Sequence, residues 1–116
     1  MTDRELLELA AKAAGIKHNG YFDLDGLYVE VRQGGHYDKW NPLTDDGDAL
    51  RLAVVIDAEI LITQHACIVT LEKWRGINAI RIQENHFSTE TKRQDPYAAT
   101  RRAIVRAAAE IGRMMG

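Results

Sequence analysis

Two histidines, a cysteine and a glutamate are the residues whose types and spacing first suggest chemistry. Arg75-Gly76 reads as a two-residue hairpin turn between the alternating segments 66–74 and 77–84. Counting outward from that turn, where Trp74 faces Ile77, Cys67 comes to face Glu84 and His65 to face His86, and these last four residues share one side of the ribbon. Thiolate, imidazole and carboxylate are the groups that hold zinc, so His65, Cys67, Glu84 and His86 form a candidate metal site for a metal-dependent enzyme. The competing reading is a buried Cys67 beside wet rim residues. A Cys67–His65 nucleophile is disfavoured, because a reactive thiolate needs an electropositive, accessible setting and a core-facing strand offers neither. Paired carboxylates for acid–base work are not visible, since Glu72 and Glu84 fall on opposite faces. No catalytic residue is assigned and no cofactor is expected.

A second set is Arg101, Arg102, Arg106 and Arg113 on the last helical segment, which are of the type that contacts phosphates. The formal net charge of −2, the interleaved Glu110 and the lack of a recognition motif argue for a solvated helix face instead. Asp45-Asp46-Gly47-Asp48 and Asp23-Leu24-Asp25-Gly26 echo calcium loops, but neither has ligands at alternate positions closed by a glutamate. Gln33-Gly34-Gly35-His36-Tyr37-Asp38-Lys39 reads as a loop without the Gly-Lys-Ser/Thr of a phosphate cradle. Its Tyr37, with Trp40 beside it, is the candidate contact surface for a protein partner, although Trp40 is also large enough to cap the core.

The elements that must position these residues follow from periodicity. Thr2-Asp3-Arg4-Glu5 is a capping box opening a helix over 3–14, with Leu6, Leu9, Ala10 and Ala13 as its stripe and Gly15 as its stop. Asp25-Gly26 predicts a tight hairpin turn between alternating segments. Pro42 sets a rigid turn, Thr44 or Asp45 caps the central helix, and Ala49, Leu52, Ala53 and Ile56 form its buried face. That helix runs to about Ile56 or Asp57. Residues 59–63 read as a strand. Val69, Leu71, Ile80 and Ile82 should share the core face of the long hairpin. Residues 85–94 are polar and mobile by composition. Asp95-Pro96 then opens a last helix with Tyr97, Ile104, Ala108, Ile111 and Met115 as its buried stripe.

The 116 residues suit a single domain with a core of its own, and 46% hydrophobic with 28% charged residues is ordinary globular composition. Cys67 is the only cysteine, so no internal disulfide is expected and a reducing compartment such as a cytoplasm fits. The charged start Met1-Thr2-Asp3-Arg4-Glu5 does not read as a signal peptide, and no stretch is long enough to cross a bilayer. The expected architecture is α+β, in the order α-β-β-α-β-β-β-α, a mostly antiparallel sheet packed with three helices as a layered sandwich. A homodimer follows if Trp74 and Ile68 stay exposed on the wetter sheet face.

Three segments carry a family resemblance. Residues 40–53, Trp40-Asn41-Pro42-Leu43-Thr44-Asp45-Asp46-Gly47-Asp48-Ala49-Leu50-Arg51-Leu52-Ala53, resemble the hallmark segment of the phage ABA sandwich domain family. Thr2-Asp3-Arg4-Glu5-Leu6-Leu7 is similar to its opening helix, and residues 95–105 resemble its closing helix. The resemblance implies a small α+β protein encoded by a bacteriophage or prophage. It implies no activity and no catalytic residue set. The function expected on this footing is a non-enzymatic accessory protein that binds a phage or host protein.

Overall fold

The computed structural model describes residues 1–32, 35–71 and 80–115. Helix α1 (Asp3–Ala14) is followed by strands β1 (His18–Asp23), β2 (Gly26–Arg32) and β3 (His36–Trp40). Helix α2 (Asp46–Val55) comes next, then β4 (Glu59–Ile62), β5 (Ala66–Leu71) and β6 (Ile80–Asn85). A short ribbon, β7 (Phe87–Ser88) and β8 (Arg93–Gln94), leads into α3 (Pro96–Met114). All strand pairs are antiparallel, in sheets ordered β1-β2-β3, β4-β5-β6 and β7-β8. The fold is α+β, and among the described residues it has three helices and strands that divide into three small sheets.

Each helix begins where a side chain can take its free N–H groups. Thr2 Oγ1 accepts from the Glu5 amide at 3.2 Å while the Glu5 carboxylate reaches back to Thr2, which completes the capping box. Gly15, at φ 70°, ends α1 in the left-handed region. Asp45 caps α2 by accepting from the Asp48 amide at 2.8 Å, and Asp95 caps α3 by accepting from Ala98 at 3.0 Å.

The core forms where α3 touches α1, α2, β5 and β6 while α1 also rests on β2. Ala10 and Ala11 of α1 and Ala103, Ala107 and Ala108 of α3 are buried in one core, and Gly112 lets the α3 backbone approach that of Leu9 in α1 closely. Leu7, Leu27, Ile56, Leu71 and Ile111 fill the remaining space and are fully buried. Each of these contributes about 1.5–3 kcal/mol of transfer free energy. The expected α2 face of Ala49, Leu52, Ala53 and Ile56 is buried throughout.

Four expectations change. The first hairpin turns at Leu24-Asp25, one residue before Asp25-Gly26, because Asp23 pairs with Gly26 across it. Asp23 Oδ1 accepts from the Asp25 amide at 2.8 Å and closes the turn itself. Gly26 serves a close approach: a Cβ there would lie 2.5 Å from the Trp40 carbonyl oxygen of β3. The segment read as a loop contains β3, which shows no alternation because only Trp40 in it is buried. Backbone pairing with β2 makes this strand, with Trp40 opposite Leu27 and Tyr37 opposite Glu30. The polar stretch 85–94 holds the β7–β8 ribbon. On α3, Tyr97 and Met115 are exposed, so the buried stripe starts further along the helix. The turn at Arg75-Gly76 and Trp74 lie outside the described residues, as does one of the paired glycines, Gly34.

Candidate functional site

The β5–β6 register brings three of the four hairpin-end residues under α3. Cys67 pairs with Glu84, Val69 with Ile82 and Leu71 with Ile80, as counted from the sequence. The ladder continues one step further, where the His86 amide donates to the His65 carbonyl at 2.8 Å. Cys67 is fully buried, and burial pushes its thiol up, against a smaller opposing pull from a hydrogen bond with Thr100. Glu84 forms an ion pair with Arg106 of α3. His86 is 5% exposed, and its Nε2 is buried without a hydrogen-bond partner among the described residues. His65 is exposed and stands apart. Two of the four candidate ligands are thus engaged by α3, Glu84 by Arg106 and Cys67 by Thr100. Among the described residues no group of three or more His, Cys, Asp or Glu side chains is placed to hold one.

A polar hollow of about 600 Å³ opens beside His86, with Asp3, Glu90, Asp95 and Arg102 among its walls. Three of these wall groups are already engaged. Arg102 reaches Asp3 at 3.5 Å, and Asp95 caps α3.

The α3 arginines act as ties between elements. Arg101 donates from Nε to the Leu43 carbonyl at 2.9 Å and from its guanidinium to Asp46 at 2.6 Å, which fastens α3 to the start of α2. Arg106 ties α3 to β6, Arg102 ties it to α1, and Arg113 pairs with Glu110 at 2.9 Å. A phosphate would have to displace a carboxylate from each. The expected aromatic contact patch also does not assemble. Trp40 is 7% exposed and belongs to the core cluster, which leaves Tyr37 alone on the surface of β3.

The surface that stands out lies around β4. It begins at the end of α2, where Asp57 adopts φ 55°. The Asp57 amide donates to the Val54 carbonyl at 3.2 Å and the Ala58 amide to the Ala53 carbonyl at 3.0 Å, the paired bonds of a left-handed helix stop. The chain reverses there and runs straight into β4. At the other end Thr63 closes the turn: its Oγ1 accepts from His65 and Ala66 and donates to the Ala66 carbonyl at 3.0 Å.

Among the described residues strand β4 is an edge, bonded to β5 on one side only. All four of its residues are exposed. The Thr63 amide donates to Ala66, so the hydrogen-bonded pairs with β5 fall at 63, 61 and 59. The N–H and C=O groups of Ile60 and Ile62 therefore point to the open side. Their side chains share the helix-side face, where with Leu50, Tyr97, Thr100 and Ile104 they line an apolar hollow of about 330 Å³. Leu61 projects to the opposite face. Val54, one turn beyond Leu50 on α2, and Tyr97 are 67% and 70% exposed.

The sequence did carry a sign of this surface. Glu59-Ile60-Leu61-Ile62 is apolar on both faces of a short strand, whereas an edge normally carries a lysine, a proline or a bulge. No protein-family model, no curated protein and no solved structure matches this chain significantly.

Proposed function

We propose that this chain is a non-enzymatic accessory protein of a bacteriophage or prophage, acting in the host cytoplasm by binding another protein chain. The phage setting rests on the resemblance carried by residues 40–53 and the two flanking helices. The binding role rests on one observation: the open edge of β4 presents free backbone groups from Ile60 and Ile62 between the exposed side chains of Leu50, Leu61 and Tyr97. An extended segment laid along that edge gains main-chain hydrogen bonds, and the apolar hollow beside it accepts an alternate side chain. The partner surface therefore moves from the Tyr37–Trp40 region to β4. Support for a non-catalytic role comes from the hairpin end, where Glu84 is engaged by Arg106 and Cys67 is sealed beneath α3.

The test places a photo-activatable cross-linking residue at Leu61 and, in a control, at the exposed Arg113. After irradiation in producing cells, adducts identified by mass spectrometry should form at position 61 and not at 113. Equal yields at both positions, or none at 61, would overturn the reading.

A further inference from the structure

We infer that the chain occupying the β4 edge is a second copy of this protein, paired antiparallel about a two-fold axis at Leu61. This inference rests on the protein-binding reading and specifies the partner. A two-fold contact requires a surface complementary to itself, so that residue i meets j and j meets i. The open groups of β4 belong to Ile60 and Ile62, so hydrogen-bonded pairs across the new edge must form between those residues. With Leu61 opposite Leu61 of the second copy, Ile60 faces Ile62 and Ile62 faces Ile60. Both residues then exchange N–H and C=O bonds.

The same register sets Glu59 against Thr63, so no like charges meet along the strand. On the helix side, the exposed parts of Leu50, Val54, Tyr97, Ile60 and Ile62 extend the contact beyond the backbone. Together with Leu61 these residues expose roughly 650 Å² per copy, the most this contact could cover, which is below the roughly 800 Å² per partner of a standard stable interface and is supplemented by the backbone pairing. The product is a continuous six-stranded sheet, β6-β5-β4 joined to β4-β5-β6, with no free β4 edge left in either copy. This contact differs from one built on Ile68, which is half-buried opposite Leu61 on β5.

Sedimentation equilibrium of the purified full chain should give twice the 13.0 kDa chain mass. Cysteine placement then reads the register. Leu61→Cys sets two thiols in a non-bonded pair with Cα atoms about 4.5 Å apart, inside disulfide range. Ile60→Cys sets its two thiols roughly 8–9 Å apart, beyond that range. Oxidised glutathione should therefore cross-link the first variant and not the second, with the buried Cys67 silent in both.

Leu61→Lys, which juxtaposes two ammonium groups at an already exposed position, should weaken dimerisation by on the order of 100-fold. Ile62→Pro removes an amide that only the second copy uses and should act in the same direction. Far-ultraviolet circular dichroism checks that both variants are folded. A monomer at roughly 100 µM, where a specific interface is saturated, would overturn the inference. So would a dimer that persists in both folded variants, or equal cross-linking at 60 and 61. If the purified chain is monomeric yet position 61 labels a different protein in cells, the second copy is wrong while the binding edge stands. If neither occurs, both readings fall.

Discussion

Replacing Gly112 by alanine sets two physical effects directly against each other. In a helix interior alanine is favoured over glycine by about 1 kcal/mol, so α3 taken alone should gain stability. The packing of α3 on α1 predicts the reverse. A Cβ on Gly112 would sit 2.8 Å from the carbonyl carbon of Leu9 and closer still to its oxygen. Real Cβ atoms do not approach backbone that closely, and a backbone carbonyl cannot rotate aside as a side chain can. The helices would have to part along their mutual contact, loosening Ala10 and Ala11 against Ala107 and Ala108. Overpacking of this kind costs about 1–3 kcal/mol, and an obstacle made of buried backbone belongs at the upper end. The net expectation is a loss of about 2 kcal/mol, or roughly 8 °C in Tm for a domain of this size. Urea denaturation followed by circular dichroism measures it. Gly47→Ala in α2 is the milder comparison, because a Cβ there meets side-chain atoms at 3.2 Å, the Arg51 guanidinium, which can move aside, and the Asp45 capping carboxylate, which must give by a few tenths of an ångström. The helix gain and the crowded cap oppose each other there, so the change should stay within about 1 kcal/mol of the parent, well short of the loss at Gly112. If Gly112→Ala is as stable as the parent, α1 and α3 do not pack as described.

Asp57→Gly should stabilise the protein by about 1 kcal/mol in the same assay, because Asp57 holds a left-handed conformation that glycine adopts without strain. Trp40→Ala should cost about 3–5 kcal/mol, the loss expected of a core aromatic, and a loss below about 1 kcal/mol would return Trp40 to the surface. The Cys67 thiol, pushed up by burial, should be alkylated at mildly alkaline pH only as fast as the chain opens, with rapid labelling in urea as the reference. A raised folded pKa favours the protonated thiol. The stability it confers is therefore complete below the unfolded thiol pKa and is lost as pH rises through the folded value. Urea midpoints of the parent should consequently fall with alkalinity relative to those of Cys67→Ala, and parallel curves would contradict that linkage.

Where a single side chain decided the backbone, the sequence was readable. Thr2 with Glu5, Asp45 and Asp95 mark helix starts by side-chain hydrogen bonds to free amides, and Gly15 marks a helix end by its left-handed conformation. The β5–β6 register was readable because a period of two, anchored to one turn, leaves a single solution. Strand β3 was not, because its pairing with β2 depends on backbone groups and four of its five side chains are exposed. The first turn moved by one residue because Asp23 closes it, while Gly26 answers to the distant Trp40. The hairpin-end residues were placed opposite one another correctly. What no pattern along β5 and β6 could announce was α3 lying over them, with Arg106 claiming Glu84. Tyr97 was misplaced for a related reason: helical spacing groups it with Ile104, but the first turn of α3 overhangs the β4 rim.

The exposed apolar strand is a rigid feature and not a frayed one. Only three residues, 60–62, lie between the paired ends of β4 at Glu59 and Thr63. At the first end, the Asp57 stop forces the chain out of α2 at a set angle, with Ala58 bonded back to Ala53. At the second, the Thr63 hydroxyl ties three partners within the turn to β5. A slip of one residue, which would exchange the faces of Ile60, Leu61 and Ile62, would break one of these ties and turn Val69 of β5 out of register with its partner. The strand therefore cannot relieve its exposure by rearranging. Arg101 also ties α3 to Leu43 and Asp46 beside the hollow between Tyr97 and Leu50. The proposed binding edge is therefore a preformed one, and any chain that paired with it would have its direction set by the Ile60 and Ile62 amides.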